Sequence, residues 1–105
     1  MNPVEEAGRI AAAVREATGV ADVHGGRFGG VATLGAGRRV AGVRVTEKDI
    51  TVGVTVRMPF SSGEVAAAVR AAAASPGRPV HVLIADVEGP VPSGRDSEDG
   101  KETGS

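Results

Sequence analysis

The chain has 105 residues, 41% of them hydrophobic, and a net charge of −1, which suits one folded domain and excludes a globally disordered chain. It has no cysteine, which excludes a disulfide framework and thiolate zinc sites, and no apolar run of about 18 residues that could cross a membrane as a helix. The near-neutral charge argues against general nucleic-acid binding, and with no basic-then-apolar N-terminal segment the expected compartment is the cytoplasm.

Residues 3 to 17 are predicted to form the first helix. Asn2 is a good N-cap, Pro3 suits the first helical position, and Glu5 and Glu6 meet the positive end of the helix dipole. Val4, Ala7, Ile10, Ala11, Val14 and Ala17 make one apolar stripe at helical spacing. Gly8 interrupts it at a cost of about 1 kcal/mol relative to alanine. Thr18-Gly19 ends the helix, with Gly19 as a left-handed cap. A short strand is expected at 20 to 24. The glycine-rich stretch that follows can be read as a loop throughout 25 to 39 or as a loop with a strand at 30 to 35 around Val31 and Leu34.

The centre of the chain is VAGVRVTEKDITVGVTVRM, residues 40 to 58, which reads as a β-hairpin. Ile50, Val52, Val54, Val56 and Met58 alternate with polar or small residues, so they share one face of a strand. An even-length turn, either Glu47-Lys48 or Thr46 to Asp49, keeps the apolar sets together. Val45 then opposes Ile50, Val43 opposes Val52, Ala41 opposes Val54, and Gly42 faces Gly53. Two facing glycines imply either a close approach by another backbone or a local twist or bulge.

Pro59 ends the strand, and Ser61 with Glu64 forms an S-x-x-E capping box for a helix running to about Ala74, with Val65, Ala66, Val69, Ala72 and Ala73 inward. Residues 79 to 87 make the last strand. Val80, Val82 and Ile84 fill one face. His81, Leu83 and Ala85 fill the other, which is apolar enough to suggest a cover. From residue 89 the composition turns to proline, glycine, serine and acids, and 89 to 105 reads as a disordered acidic tail. The expected fold of residues 1 to 88 is a single α+β domain: two helices on one face of a three- to four-stranded mixed or antiparallel sheet. With aromatics at 2%, its core must be valine and alanine. Each buried valine contributes only about 1.5–2 kcal/mol, so self-association is expected to add stability.

Residues that could carry chemistry are sparse. Asp22 and His24 share a strand face and could meet a metal with His81, but surface histidines explain them better. Ser61 and Ser62 could be called nucleophiles, yet capping accounts for Ser61 and nothing activates Ser62. Gly26-Arg27-Phe28-Gly29 matches the G-x-x-G loop of KH nucleic-acid-binding domains, but lies between predicted strands instead of helices. Gly35 to Arg39 could offer N–H groups and two arginines to an anion, or be a flexible loop with solvated arginines. Arg38, Arg44 and Arg57 would form a basic strip on the hairpin's outer face that could meet phosphates or anionic lipid headgroups, but it lacks the aromatics that stack bases and a solvated sheet face explains it better. No catalytic residue, cofactor or metal ligand is assigned. The expected interaction face is Gly42, Arg44, Gly53, Thr55, Arg57, Leu83 and Ala85.

The segments AVREATGVADV, GVRV, ITVGVTVRM, EVAAAVRAAA and VHVLIADVEG, in this order, resemble the alkaline shock protein family of bacterial envelope-stress proteins over roughly residues 4 to 89. The chain departs from that pattern in the glycine-rich GGRFGGVATLGAGRR and the short approach MPFSSGEVA. The resemblance implies a non-enzymatic protein of cell-envelope homeostasis without a small-molecule substrate. It would self-associate as a homo-oligomer and act at the cytoplasmic side of the membrane, through a membrane-anchored protein partner. The alternative is a small nucleic-acid-binding domain using the arginines and the G-x-x-G loop.

Overall fold

The computed structural model describes residues 2–26, 29–35 and 37–89. Arg27 and Phe28 of the G-x-x-G match, Ala36, and the tail from residue 90 onward lie outside them.

Helix α1 spans Pro3–Arg15, and the Asn2 side chain accepts the Glu5 N–H at 2.8 Å. It ends two residues before the expected Ala17 because the last turn tightens: Glu16 and Ala17 N–H donate to the carbonyls three residues back. Gly19, at φ +85°, then turns the chain into strand β1, Val20–Val23. The glycine-rich stretch is not a loop throughout. It contains strand β2, Ala32–Gly35, which pairs antiparallel with β3, Arg38–Ala41, through residues 36 and 37. Strand β4, Val43–Val45, follows directly, then β5, Ile50–Arg57, helix α2, Ser62–Ala73, and β6, Val80–Glu88. Ser61 Oγ caps α2 on the Glu64 N–H at 3.3 Å; among the described residues only this serine half of the expected capping box is made.

Strand β5 is the hub. One edge pairs in parallel with β6 along its whole length, the α2 crossover carrying the chain between them. The opposite edge is divided, with β4 taking Ile50 to Val52 and β1 taking Val54 to Val56, both antiparallel. The expected register holds as far as it goes: Val43 opposes Val52 and Val45 opposes Ile50. The turn from Thr46 to Asp49 is closed by the Thr46 N–H on the Asp49 carbonyl at 3.0 Å.

That register stops at Gly42. Ala41 does not oppose Val54; it pairs with Ala32, and Val54 pairs with Val23. Gly42 stands at φ +91°, a conformation L side chains rarely adopt, and there the chain bends away from β5. Gly53 is the handover point. Its N–H donates to the Gly42 carbonyl at 2.9 Å and its carbonyl accepts the His24 N–H at 2.8 Å. The two glycines face each other as expected, and the close approach they allow comes from this chain: a Cβ on Gly53 would stand 2.2 Å from the His24 oxygen, and one on Gly42 2.6 Å from Val23 Cβ.

The other side of β4 is finished by a side chain. The buried Thr33 hydroxyl donates to the Val43 carbonyl at 2.7 Å and accepts the Val45 N–H at 3.1 Å, standing in for a neighbouring strand. Helices α1 and α2 pack on one face of the four-stranded sheet, an α+β arrangement. Ile10, Val14, Val65 and Val69 meet Ile50, Val52, Val54 and Val56, all buried. Met58, expected to extend this row, is 47% exposed because the strand ends at Arg57.

Candidate interaction face

The sheet face opposite the helices is built in rows fixed by strand register. Arg44, Thr51 and His81 form the first row, and Gly53 lies beside Leu83 in the second. Asp22, Thr55 and Asp86 are aligned in the third, and Arg57 lies beside Glu88 in the fourth. Side chains opposite one another in neighbouring strands share a face, so both charge signs are distributed over this one.

The expected interaction residues divide here. Gly42 and Gly53 are buried under Val23 and His24 and are not part of an open surface. Arg44 is exposed and Thr55 half-buried. Arg57 is exposed, with its guanidinium Nη1 donating to the Val20 carbonyl at 2.8 Å. Leu83 is 44% exposed. Ala85 is the extra residue of a bulge, since Ile84 pairs with Val54 and Asp86 with Thr55. The basic strip of Arg38, Arg44 and Arg57 does not form, because β3 leaves the sheet at Gly42 and Arg38 pairs with Gly35. Nor are Arg38 and Arg39 in a flexible loop; they open β3.

Sequence reasoning missed two exposed apolar side chains further along the β5–β6 pair than Leu83: Met58, and Val87 at 45% exposure. Met58 N–H donates to the Glu88 carbonyl, and Val87 lies opposite Val56, so both belong to the end of the β5–β6 pair. Pro59 directly after Met58 was the available signal that the strand could not continue. Strand β6 is also a sheet edge. Among the described residues no strand pairs with its outer side, and Arg70 Nε covers the Val80 carbonyl at 3.1 Å.

Residues with other possible chemistry are accounted for locally. His24 Nδ1 accepts the Gly26 N–H at 2.9 Å, and His81 Nε2 lies 3.3 Å from Asp49 Oδ2. Asp22 Oδ1 accepts from Arg15 Nε at 2.8 Å and also from the Val23 N–H, and these two hydrogen bonds, the arginine's foremost, hold its carboxyl below the usual range. Among the described residues no three His, Asp or Glu side chains gather as a metal site. Gly26 and Gly29 both have positive φ, and Gly29 N–H donates to the Gly26 carbonyl at 3.1 Å, so their own backbone conformations account for those two glycines. No helix of the described residues is long and apolar enough to span a membrane.

Comparison with protein-family models, with curated proteins and with solved structures finds no match.

Proposed function

We propose that the protein is a non-enzymatic, self-associating adaptor of the bacterial cell envelope, acting at the cytoplasmic side of the membrane through a membrane-anchored protein partner. The observation that carries the self-association is the β6 edge with its neighbouring face. Its nine residues lack a strand partner on one side among the described residues, and it carries Leu83 exposed on the open face and Val87 exposed on the helix side. A long apolar edge left in this state is a template for pairing with another chain. The face also carries Arg44 and Arg57 together with Asp86 and Glu88, which suits an interface that must complement itself about a two-fold axis. The envelope role rests on the resemblance of the strand and helix segments to the alkaline shock protein family.

Light scattering tests the first part. The wild type is expected above monomer mass, and Leu83→Glu is expected to return it to monomer mass without lowering the melting temperature. A monomeric wild type, or an unchanged mass in the variant, would refute self-association by this edge. A tagged pull-down from gently lysed cells, with the membrane fraction kept apart and half treated with RNase, tests the second part. Recovery of a membrane protein irrespective of RNase supports the adaptor. Recovery of RNA that RNase removes would transfer the role to the nucleic-acid reading.

A further inference from the structure

A second feature lies between α1, β1 and β3. Strand β3 is paired with β2 on one edge and β1 with β5 on one edge, so their remaining edges border a common cleft. The two strands converge where Val23 meets Gly42. The cleft has a volume of about 450 Å³ and is lined by Gly8, Ala11, Arg15, Asp22, Arg38 and Arg39 among others. We propose that it is a binding site for a phosphate group, carried by a free small anion or by a lipid headgroup.

Four observations support this. First, Gly8, Ala11 and Arg15 follow one another at three- and four-residue spacing, so they line one face of α1. Gly8 and Ala11 are the smallest residues available, and they leave the floor open. Arg38 Nη2 is 3.8 Å from where a Cβ on Gly8 would stand, an ordinary contact that alanine would satisfy. Packing against Arg38 therefore does not require the glycine, although it weakens the helix by about 1 kcal/mol.

Second, the arginines are placed at both ends. Arg38 lies over Gly8, and Arg15 is seven residues further along the helix, about 10 Å at the standard rise. An anion over Ala11 would stand between them. Third, the charges do not cancel. Asp22 is engaged by Arg15, Arg39 Nη2 is held by the neutral Gly29 carbonyl at 2.9 Å, and the Arg38 guanidinium makes no hydrogen bond or ion pair among the described residues. Three arginines against one aspartate leave the cleft positive. Fourth, the planar guanidinium fork matches phosphate oxygens in pairs, and an antiparallel strand with one partner turns alternate N–H groups to its open edge. The volume is in the range of small-ligand sites.

The test uses the full chain, isotope-labelled, followed by amide chemical shifts. It is titrated with pyrophosphate against sodium chloride of equal ionic strength. Separately, it is sedimented with phosphatidylglycerol or phosphatidylcholine vesicles. Saturable shifts at Gly8, Ala11, Val23 and Arg38 to Ala41 with pyrophosphate support the site with a soluble ligand. Sedimentation with phosphatidylglycerol alone, abolished by Arg38→Gln, supports it with a headgroup. Arg38→Gln is expected to weaken binding about ten-fold, the loss of one charge-assisted hydrogen bond. Asp22→Asn is expected to strengthen it by removing the one opposing carboxylate.

Gly8→Leu changes no charge but fills the floor, and is expected to abolish binding while the fold is kept. Full binding in Gly8→Leu would reduce the effect to loose counterion attraction and overturn the proposal. So would unshifted cleft amides with neither ligand bound, or shifts centred on Arg44 and Arg57 when an oligonucleotide is added. Leu83→Glu should leave the binding unchanged, so the site stands or falls apart from self-association.

Discussion

Gly53→Ala is the substitution that most directly tests how β5 shares its edge. The new methyl would stand 2.2 Å from the His24 carbonyl oxygen and 3.4 Å from the carbonyl carbon. That oxygen contact is about 1 Å too short. The obstacle is backbone, so no rotamer change relieves it. The chain must move β1 outward or bend β5, and either movement strains the His24–Gly53 and Gly53–Gly42 hydrogen bonds, now 2.8 and 2.9 Å. Overpacking costs about 1–3 kcal/mol and each weakened backbone bond about 1 kcal/mol. Alanine returns about 0.4–1 kcal/mol by restricting the unfolded chain. The expected net loss is about 2–4 kcal/mol, a large part of the stability of a small domain.

The chain has no tryptophan or tyrosine, so urea unfolding should be followed by far-ultraviolet circular dichroism. Gly30→Ala is the matched control, because a Cβ there meets nothing within 4 Å. Its expected effect is within about 0.5 kcal/mol of zero. If Gly53→Ala were equally silent, the His24 carbonyl could not be held over Gly53, and the division of the β5 edge between β4 and β1 would be wrong.

Thr33→Val should cost about 2 kcal/mol, because the Val43 carbonyl and the Val45 N–H would lose their buried partner; Thr33→Ser, which keeps the hydroxyl, should lose clearly less in the same urea series. Arg78→Ala should lower the melting temperature by an amount matching about 2–3 kcal/mol. That side chain joins Glu6, the Ser75 hydroxyl and the Thr46 carbonyl, and its loss leaves a carboxylate only 15% exposed with the more distant Arg9 at 4.0 Å; an unchanged melt would refute this. Asp22 has a folded pKa below its unfolded one, so its contribution is present above the ordinary carboxylate range and disappears as pH falls through the folded value. Asp22→Asn should therefore destabilise at neutral pH and be equal to wild type in strong acid. The difference should stay under about 1 kcal/mol, because both partners are more than half exposed.

The parts of this fold that were legible in the sequence are those set by local rules. The alternation from Ile50 to Val56 determines which face is buried, and the even turn at Thr46 to Asp49 determines the register with Val43 and Val45. Asn2 and Ser61 mark helix starts through their own side chains. What was not legible depends on competition between distant segments. Nothing near Ala41 says that β1 will take its place beside Val54, so extending the hairpin was the simpler reading. Its failure removed the strip of Arg38, Arg44 and Arg57. The β2–β3 pair had a usable signal in its two-residue connection ending in Gly37, at φ +75°. The surrounding glycines obscured it. Of the expected interaction face, the exposed arginines and Leu83 were legible from alternation, whereas Gly42 and Gly53 were expected on it and are instead covered by residues 23 and 24.

That internal cover decides which edges of the sheet remain for a partner. Strand β4 is closed by β5 on one side and by the Thr33 hydroxyl on the other. The open edges of β1 and β3 border the same cleft, where three arginines and a narrowing gap favour a small anion over a full strand. Strand β6 differs on each count. It is nine residues long, carries Leu83 and Val87 exposed, and borders solvent along its outer side with Arg70 at one end. The bulge at Ala85 twists its second half, so a strand added from another copy would pair most regularly beside Val80 to Ile84. Self-association through β6 should therefore respond to Leu83 and to residues before the bulge, and much less to Asp86 or Glu88 beyond it. An interface spread over the open face would instead weaken comparably with Arg44 or Thr55.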